Sequence, residues 1–159
     1  MSGKVEIIEA PAQWMALIKT KTSPQTIGDD QRRCCAQVKA YLQAQGVEPA
    51  GHPVSFYYQM ESPTVWTIGA GFPIAAPITG DEPVQIVEIP AGLLATLLHV
   101  GPYYGLKEAW QTLESWHQEQ RYPLDRTPVF WESHLIHPDN EPDQSKCQAR
   151  LYWLLSVAR

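Results

Sequence analysis

Val5-Glu6-Ile7-Ile8-Glu9-Ala10-Pro11-Ala12 returns further along the chain as Val84-Gln85-Ile86-Val87-Glu88-Ile89-Pro90-Ala91. The offset is 79 residues, and Ala16 falls on Ala95 in the same register. A second block, Pro53-Val54-Ser55-Phe56-Tyr57, falls on Pro128-Val129-Phe130-Trp131-Glu132 at an offset of 75. Two ordered blocks with a small shift between them mark a duplicated chain, in which loops absorb the difference.

Each copy reads in the same order. A strand at about 4–9 or 83–89 leads into an extended Ala/Thr/Leu segment at about 13–19 or 92–99. A helix follows. In the second copy Leu106, Ala109, Trp110, Leu113 and Trp116 form one helical stripe, opened by His99-Val100-Gly101-Pro102-Tyr103. In the first copy Cys34, Cys35, Val38, Tyr41 and Leu42 do the same. Asp29 and Asp30 complement that helix's dipole, and Gly46 caps its end. Two strands close each copy, 54–60 with 65–70 and 129–136 with 148–156. The Pro/Gly-rich stretch 71–82 reads as the linker. The expectation is one α+β domain over 1–159, with repeats at about 4–70 and 83–157. The repeats share an antiparallel sheet with two helices on one face.

Composition narrows the function. The 159 residues carry a formal net charge of -5, so bulk electrostatics give no help to nucleic-acid binding. Six Trp and seven Tyr against three Phe favour a surface that holds a ligand, because both types join an apolar ring to a polar tip. Cys34, Cys35 and Cys147 form neither a disulfide framework nor a CxxC pair. No apolar run is long enough for a membrane span, and Glu6 interrupts any signal peptide, so a cytoplasmic location is expected. Met1 is followed almost at once by the first strand, so no DNA-binding unit and no direct DNA contact is expected ahead of it.

The order His99-Val100-Gly101-Pro102-Tyr103, an aromatic helix, and then Pro128-Val129-Phe130-Trp131-Glu132-Ser133-His134 resembles the GyrI-like family. These are the SOUL-like effector-binding domains that occur alone or fused to helix-turn-helix units in bacterial regulators. The resemblance implies duplicated βαββ units with pseudo-twofold symmetry and a cleft between the halves, lined by aromatic rings around a carboxylate. Carried over by position, that carboxylate is Glu132, and the repeat sets Tyr57 at the symmetric place. Where the family strand commonly reads E-x-Y, this chain has Glu132, Ser133 and His134.

The residues themselves add detail. Strand alternation puts Phe130, Glu132, His134 and Ile136 on one face. A bare Glu among rings costs free energy unless paired. Read as unpaired, its replacement by Gln is expected to leave the melting temperature at or above wild type. Tyr103, Tyr104, Trp66, Tyr152 and Trp153 complete the candidate ligand-binding set with Glu132, Tyr57, Phe130 and His134. Trp110 and Trp116 read as core, and His99 as structural. His134 and His137 fall on opposite strand faces by spacing, and neither a metal nor a cofactor is expected. The function that follows is a stand-alone effector-binding domain for a small, mostly apolar molecule, neutral or cationic. The resemblance also implies two alternatives. One is a hydrolase that opens strained alkylating cyclopropanes with Glu132 and a Tyr, which is Tyr57, Tyr103 or Tyr104, Tyr103 being taken with Glu132 as the candidate catalytic pair. The other is an inhibitor that binds DNA gyrase.

Overall fold

The computed structural model describes residues 3–120 and 129–157. Pro128, which opens the second repeated block, lies outside the described residues. Eight strands and two α-helices follow one another as β1 (Glu6–Ala10), β2 (Gln13–Thr22), α1 (Ile27–Ala44), β3 (Val54–Met60), β4 (Trp66–Ile74), β5 (Val84–Ile89), β6 (Gly92–Val100), α2 (Leu106–Gln120), β7 (Phe130–Ile136) and β8 (Gln148–Val157). The segments expected only to be extended are full strands, so each repeat contributes four strands and one helix.

The compact units are not the sequence repeats. One unit joins the residues up to Pro11 to those from Ala91 onward, and the other runs from Ala12 to Pro90. In the first, β1 pairs with β6, β6 with β8, and β8 with β7, all antiparallel. In the second, β5 pairs with β2, β2 with β4, and β4 with β3, again antiparallel. Each unit therefore takes its edge strand from the other repeat. The two-residue links explain the exchange. A tight hairpin needs residues that accept positive φ, and Pro11-Ala12 and Pro90-Ala91 supply none. The chain cannot fold back on itself at either link.

α1 buries Cys34, Val38 and Leu42 against Ala16, Ile18, Ala70 and Ile74. Past its last turn Gly46 adopts φ 70°, and the Val47 N–H donates to the Leu42 carbonyl, closing the helix as the sequence suggests. α2 packs Ala109 and Leu113 on Ala95, Leu97, Leu151 and Leu155.

Two local readings need correction. The expected linker 71–82 begins inside β4, which continues to Ile74. Pro73 is tolerated there because its carbonyl accepts from Ala50, on the side away from β2, so the missing N–H interrupts no β2–β4 bond. His99 and Val100 end β6 and do not open the helix. Gly101, at φ 127°, turns the chain, and a 3-10 turn over Tyr103–Gly105 leads into α2. His99 donates from Nε2 to the Pro102 carbonyl at 2.9 Å, the structural role expected of it.

At Gly71, mid-strand in β4, an added Cβ would be driven into the Ala16 carbonyl oxygen. Gly71→Ala is expected to cost at least about 2 kcal/mol, towards the large end for single substitutions. In a chain of this size that lowers Tm by roughly 4–8 °C. Thermal unfolding followed by circular dichroism measures the change, and an unaltered Tm contradicts the packing.

Candidate functional site

Glu132 is 1% exposed, on the face of β7 that meets α2. Its cross-strand neighbour Leu151 belongs to the α2 core, and the same row of the sheet reaches Leu97 on β6. The carboxylate is paired on both oxygens. The Trp110 indole Nε1–H donates to Oε1 at 2.6 Å, and His134 Nε2 donates to Oε2 at 3.2 Å. These are charge-assisted bonds, the stronger kind. Trp110 therefore does more than fill the core. Its side chain reaches from α2 to hold the buried charge, and its ring packs on Phe130 with centroids 5.4 Å apart.

Rings continue on either side. Phe130 meets Trp153 at 5.8 Å, and Trp153 stacks on His117 at 4.7 Å. In the other direction the Tyr103 ring sits edge-on to His134 at 5.5 Å and to His137 at 5.4 Å. The two imidazoles lie 5.6 Å apart with planes 23° from parallel, although alternation assigns them opposite faces. β7 ends at Ile136, so alternation no longer governs His137. Its Nδ1 accepts from the Asp139 N–H in the turn that follows. Among the described residues no group of three His, Cys, Asp or Glu is placed to hold a metal ion.

Tyr103 donates its hydroxyl hydrogen bond to the Gln148 carbonyl at 2.8 Å. Burial first, and the Glu132 charge second, push its phenol well above the ordinary tyrosine range. Of the tyrosines that the hydrolase alternative leaves open, Tyr103 has its hydroxyl bonded to the Gln148 carbonyl.

The structure brings Glu132, Phe130, His134, Tyr103 and Trp153 together in one unit. Within that unit it does not bring Tyr152 or Tyr104 to them. Tyr152 points to the opposite face of the sheet and stacks on Trp131 at 5.0 Å. Tyr104, in the 3-10 turn, is 89% exposed. Tyr57 and Trp66 belong to the other unit, on β3 and β4. Register also corrects the symmetry. Ile18, Ala70 and Ser55 form one row in that unit, as Leu97, Leu151 and Glu132 do in this one. Ser55, not Tyr57, thus stands where Glu132 does, and Tyr57 matches His134. The helix contact agrees: Gln31, 79 residues before Trp110, donates to the Ser55 hydroxyl at 2.9 Å. Sequence reasoning missed Trp110 as a ligand of the carboxylate and passed over His117. The offset of 79 that links Trp110 to a polar Gln31 was the available signal.

Residues 3–153 match the GyrI-like small molecule binding domain. The chain belongs to this family. Solved structures agree in fold. The EcmrR C-terminal domain superposes with a TM-score of 0.78 at 16% identity, over 98% of both chains. The GyrI-like chain spans 58% of EcmrR as seen in its complex with DNA. SAV2435 bound to tetraphenylphosphonium gives 0.66 at 8% identity, over 97% of this chain and 94% of that one. A hydrolase encoded by lin2189 from Listeria innocua gives 0.62 at 14%, over 96% and 92%. No curated protein matches the sequence. Among the described residues no helix is long and apolar enough to cross a membrane.

Because Glu132 is paired, loss of a partner has a cost. Trp110→Phe is expected to lower stability by about 1–3 kcal/mol by leaving Oε1 without its indole donor. Glu132→Gln is now expected to destabilise, contrary to the reading of an unpaired charge. In a double-mutant cycle by denaturant unfolding the two losses should sum to more than the double variant shows. Strict additivity would mean that the hydrogen bond contributes nothing.

Tyr103 yields a pH dependence. Its folded-state pKa is raised, so its contribution to stability is complete below the unfolded value of about 10 and is lost as pH rises above that. In Tyr103→Phe the alkaline fall in unfolding free energy should be shallower, by up to about 1.4 kcal/mol per pH unit. Identical slopes between about pH 10 and 11.5 in the two proteins would contradict its burial.

Proposed function

We propose that this GyrI-like domain binds a small, mostly apolar cation against Glu132. The observation that carries the reading is a fully buried carboxylate bonded to Trp110 and His134, whose rings continue through Phe130 to Trp153 on one side and to Tyr103 on the other. A protein rarely retains a buried charge without use for it, because an apolar side chain of similar volume is often as stable or more so. A ring-lined carboxylate attracts a positive centre by charge, and the ring faces add cation–π attraction. Apolar parts of the ligand gain about 25 cal/mol for each Å² they bury. SAV2435, of the same fold, has been solved bound to tetraphenylphosphonium, a cation of this description. The role that fits is effector binding, in which ligand occupancy is the signal.

Tetraphenylphosphonium and tetraphenylborate have the same shape and opposite charge, which makes them the decisive pair. The cation should quench tryptophan fluorescence on titration, and the anion should bind at least about tenfold more weakly, a difference of about 1.4 kcal/mol. Glu132→Gln should bring the two ions closer in affinity, chiefly by weakening the cation. Equal affinity of the wild-type protein for both ions would overturn the reading.

A further inference from the structure

His117, in the last turn of α2, is 8% exposed, and its ring lies parallel to that of Trp153 with planes 7° apart. His117 Nε2 and Trp153 Nε1 are both buried, and neither has a hydrogen-bond partner among the described residues. Buried polar groups in folded proteins are nearly always bonded, so two such nitrogens on one pair of stacked rings ask for a cause.

The fold does not require them. The duplicated chain carries the same two positions in its other unit, where the row of Ala16 and Phe72 matches that of Ala95 and Trp153. Val38 stands in α1 where His117 stands in α2, at the offset that relates Gln31 to Trp110. Val38 and Phe72 fill that place with apolar atoms alone, within the core of their unit. One repeat thus packs the position dry, and the other has polar atoms there with no partner among the described residues.

The pair is also within reach of the carboxylate. Trp153 faces Phe130 across the strands, and Glu132 lies one row further on the same face, opposite Leu151. Such diagonal neighbours sit roughly 7–8 Å apart, less than the length of a drug-sized molecule. We infer that Trp153 and His117 form a second, hydrogen-bonding anchor for the ligand that Glu132 attracts. This rests on the cation reading above and refines it. The indole N–H only donates, so the ligand must present an acceptor such as a carbonyl or ether oxygen; His117 Nε2 donates or accepts according to its tautomer. The ligand class is then a lipophilic cation that carries a polar heteroatom about one aromatic ring away from its positive centre.

The test compares tetraphenylphosphonium with (4-carbamoylphenyl)triphenylphosphonium, which adds one amide to the same cation. Wild-type protein should prefer the amide-bearing cation about tenfold. His117→Val and Trp153→Phe, the residue types of the other unit, should remove that preference singly or together, and neither should lower Tm through a lost hydrogen bond. Because the readout is the ratio of two affinities, lost ring area cancels. No preference in the wild type, or a preference that survives both changes, overturns the anchor. So does a saturated complex in which the Trp153 indole proton shows NMR contacts to water and none to the carbamoyl group. Glu132→Gln serves as the control. If it weakens both cations while the preference is absent, only the anchor fails; if it leaves both unchanged, or if wild-type protein binds neither cation, the cation reading fails and the anchor falls with it.

Discussion

A carboxylate taken out of water must find donors, and Glu132 finds them on two elements at once. Trp110 reaches from the helix and His134 from two residues further along the same strand. This requirement fixes more than the carboxylate. It sets the rotation of α2, because one indole must serve both the Leu113 core and the Glu132 oxygen. It places Phe130 beneath the Trp110 ring and sets His134 edge-on to Tyr103. Two side-chain hydrogen bonds meet at this one charge, and aromatic rings flank it.

The other unit shows what the same framework does without a charge. Gln31 and Ser55 repeat the helix-to-strand hydrogen bond at the matching positions, with neutral partners and at an ordinary 2.9 Å. Val38 and Phe72 repeat the ring-packing positions with no polar atoms. Duplication kept the backbone row and the direction of the contact, while the chemistry diverged. The difference between the halves is therefore a map of where the Glu132 unit departs from what the fold alone asks.

Much of this was legible in the sequence. The helical stripes, the Gly46 cap and the shared face of Phe130, Glu132 and His134 follow from periodicity, which burial enforces. The failures also have physical causes. The second repeated block is aligned two residues away from its structural register. A slip of two leaves every side chain on its own face, so no hydrophobic pattern could reveal that Ser55 and not Tyr57 answers to Glu132. Gly71 and Pro73 read as loop residues by type. Yet one stands where the backbone of β2 leaves no room for a side chain, and the other where the ladder asks for no N–H. His137 escaped because alternation stops with the strand. Trp110 was assigned by its apolar bulk, although an indole also carries a donor that a distant carboxylate can use.

The Pro-Ala links carry one more implication. A half-length ancestor with this sequence pattern could not have completed its own sheet, since its first strand runs on past the turn that would return it. Two copies trading first strands would each have been whole. In its strand pairing the present chain is equivalent to such a strand-swapped pair joined end to end, with the partnership made covalent. Separated at residues 75–83, the halves would be expected to be sticky fragments that regain stability only by finding each other again.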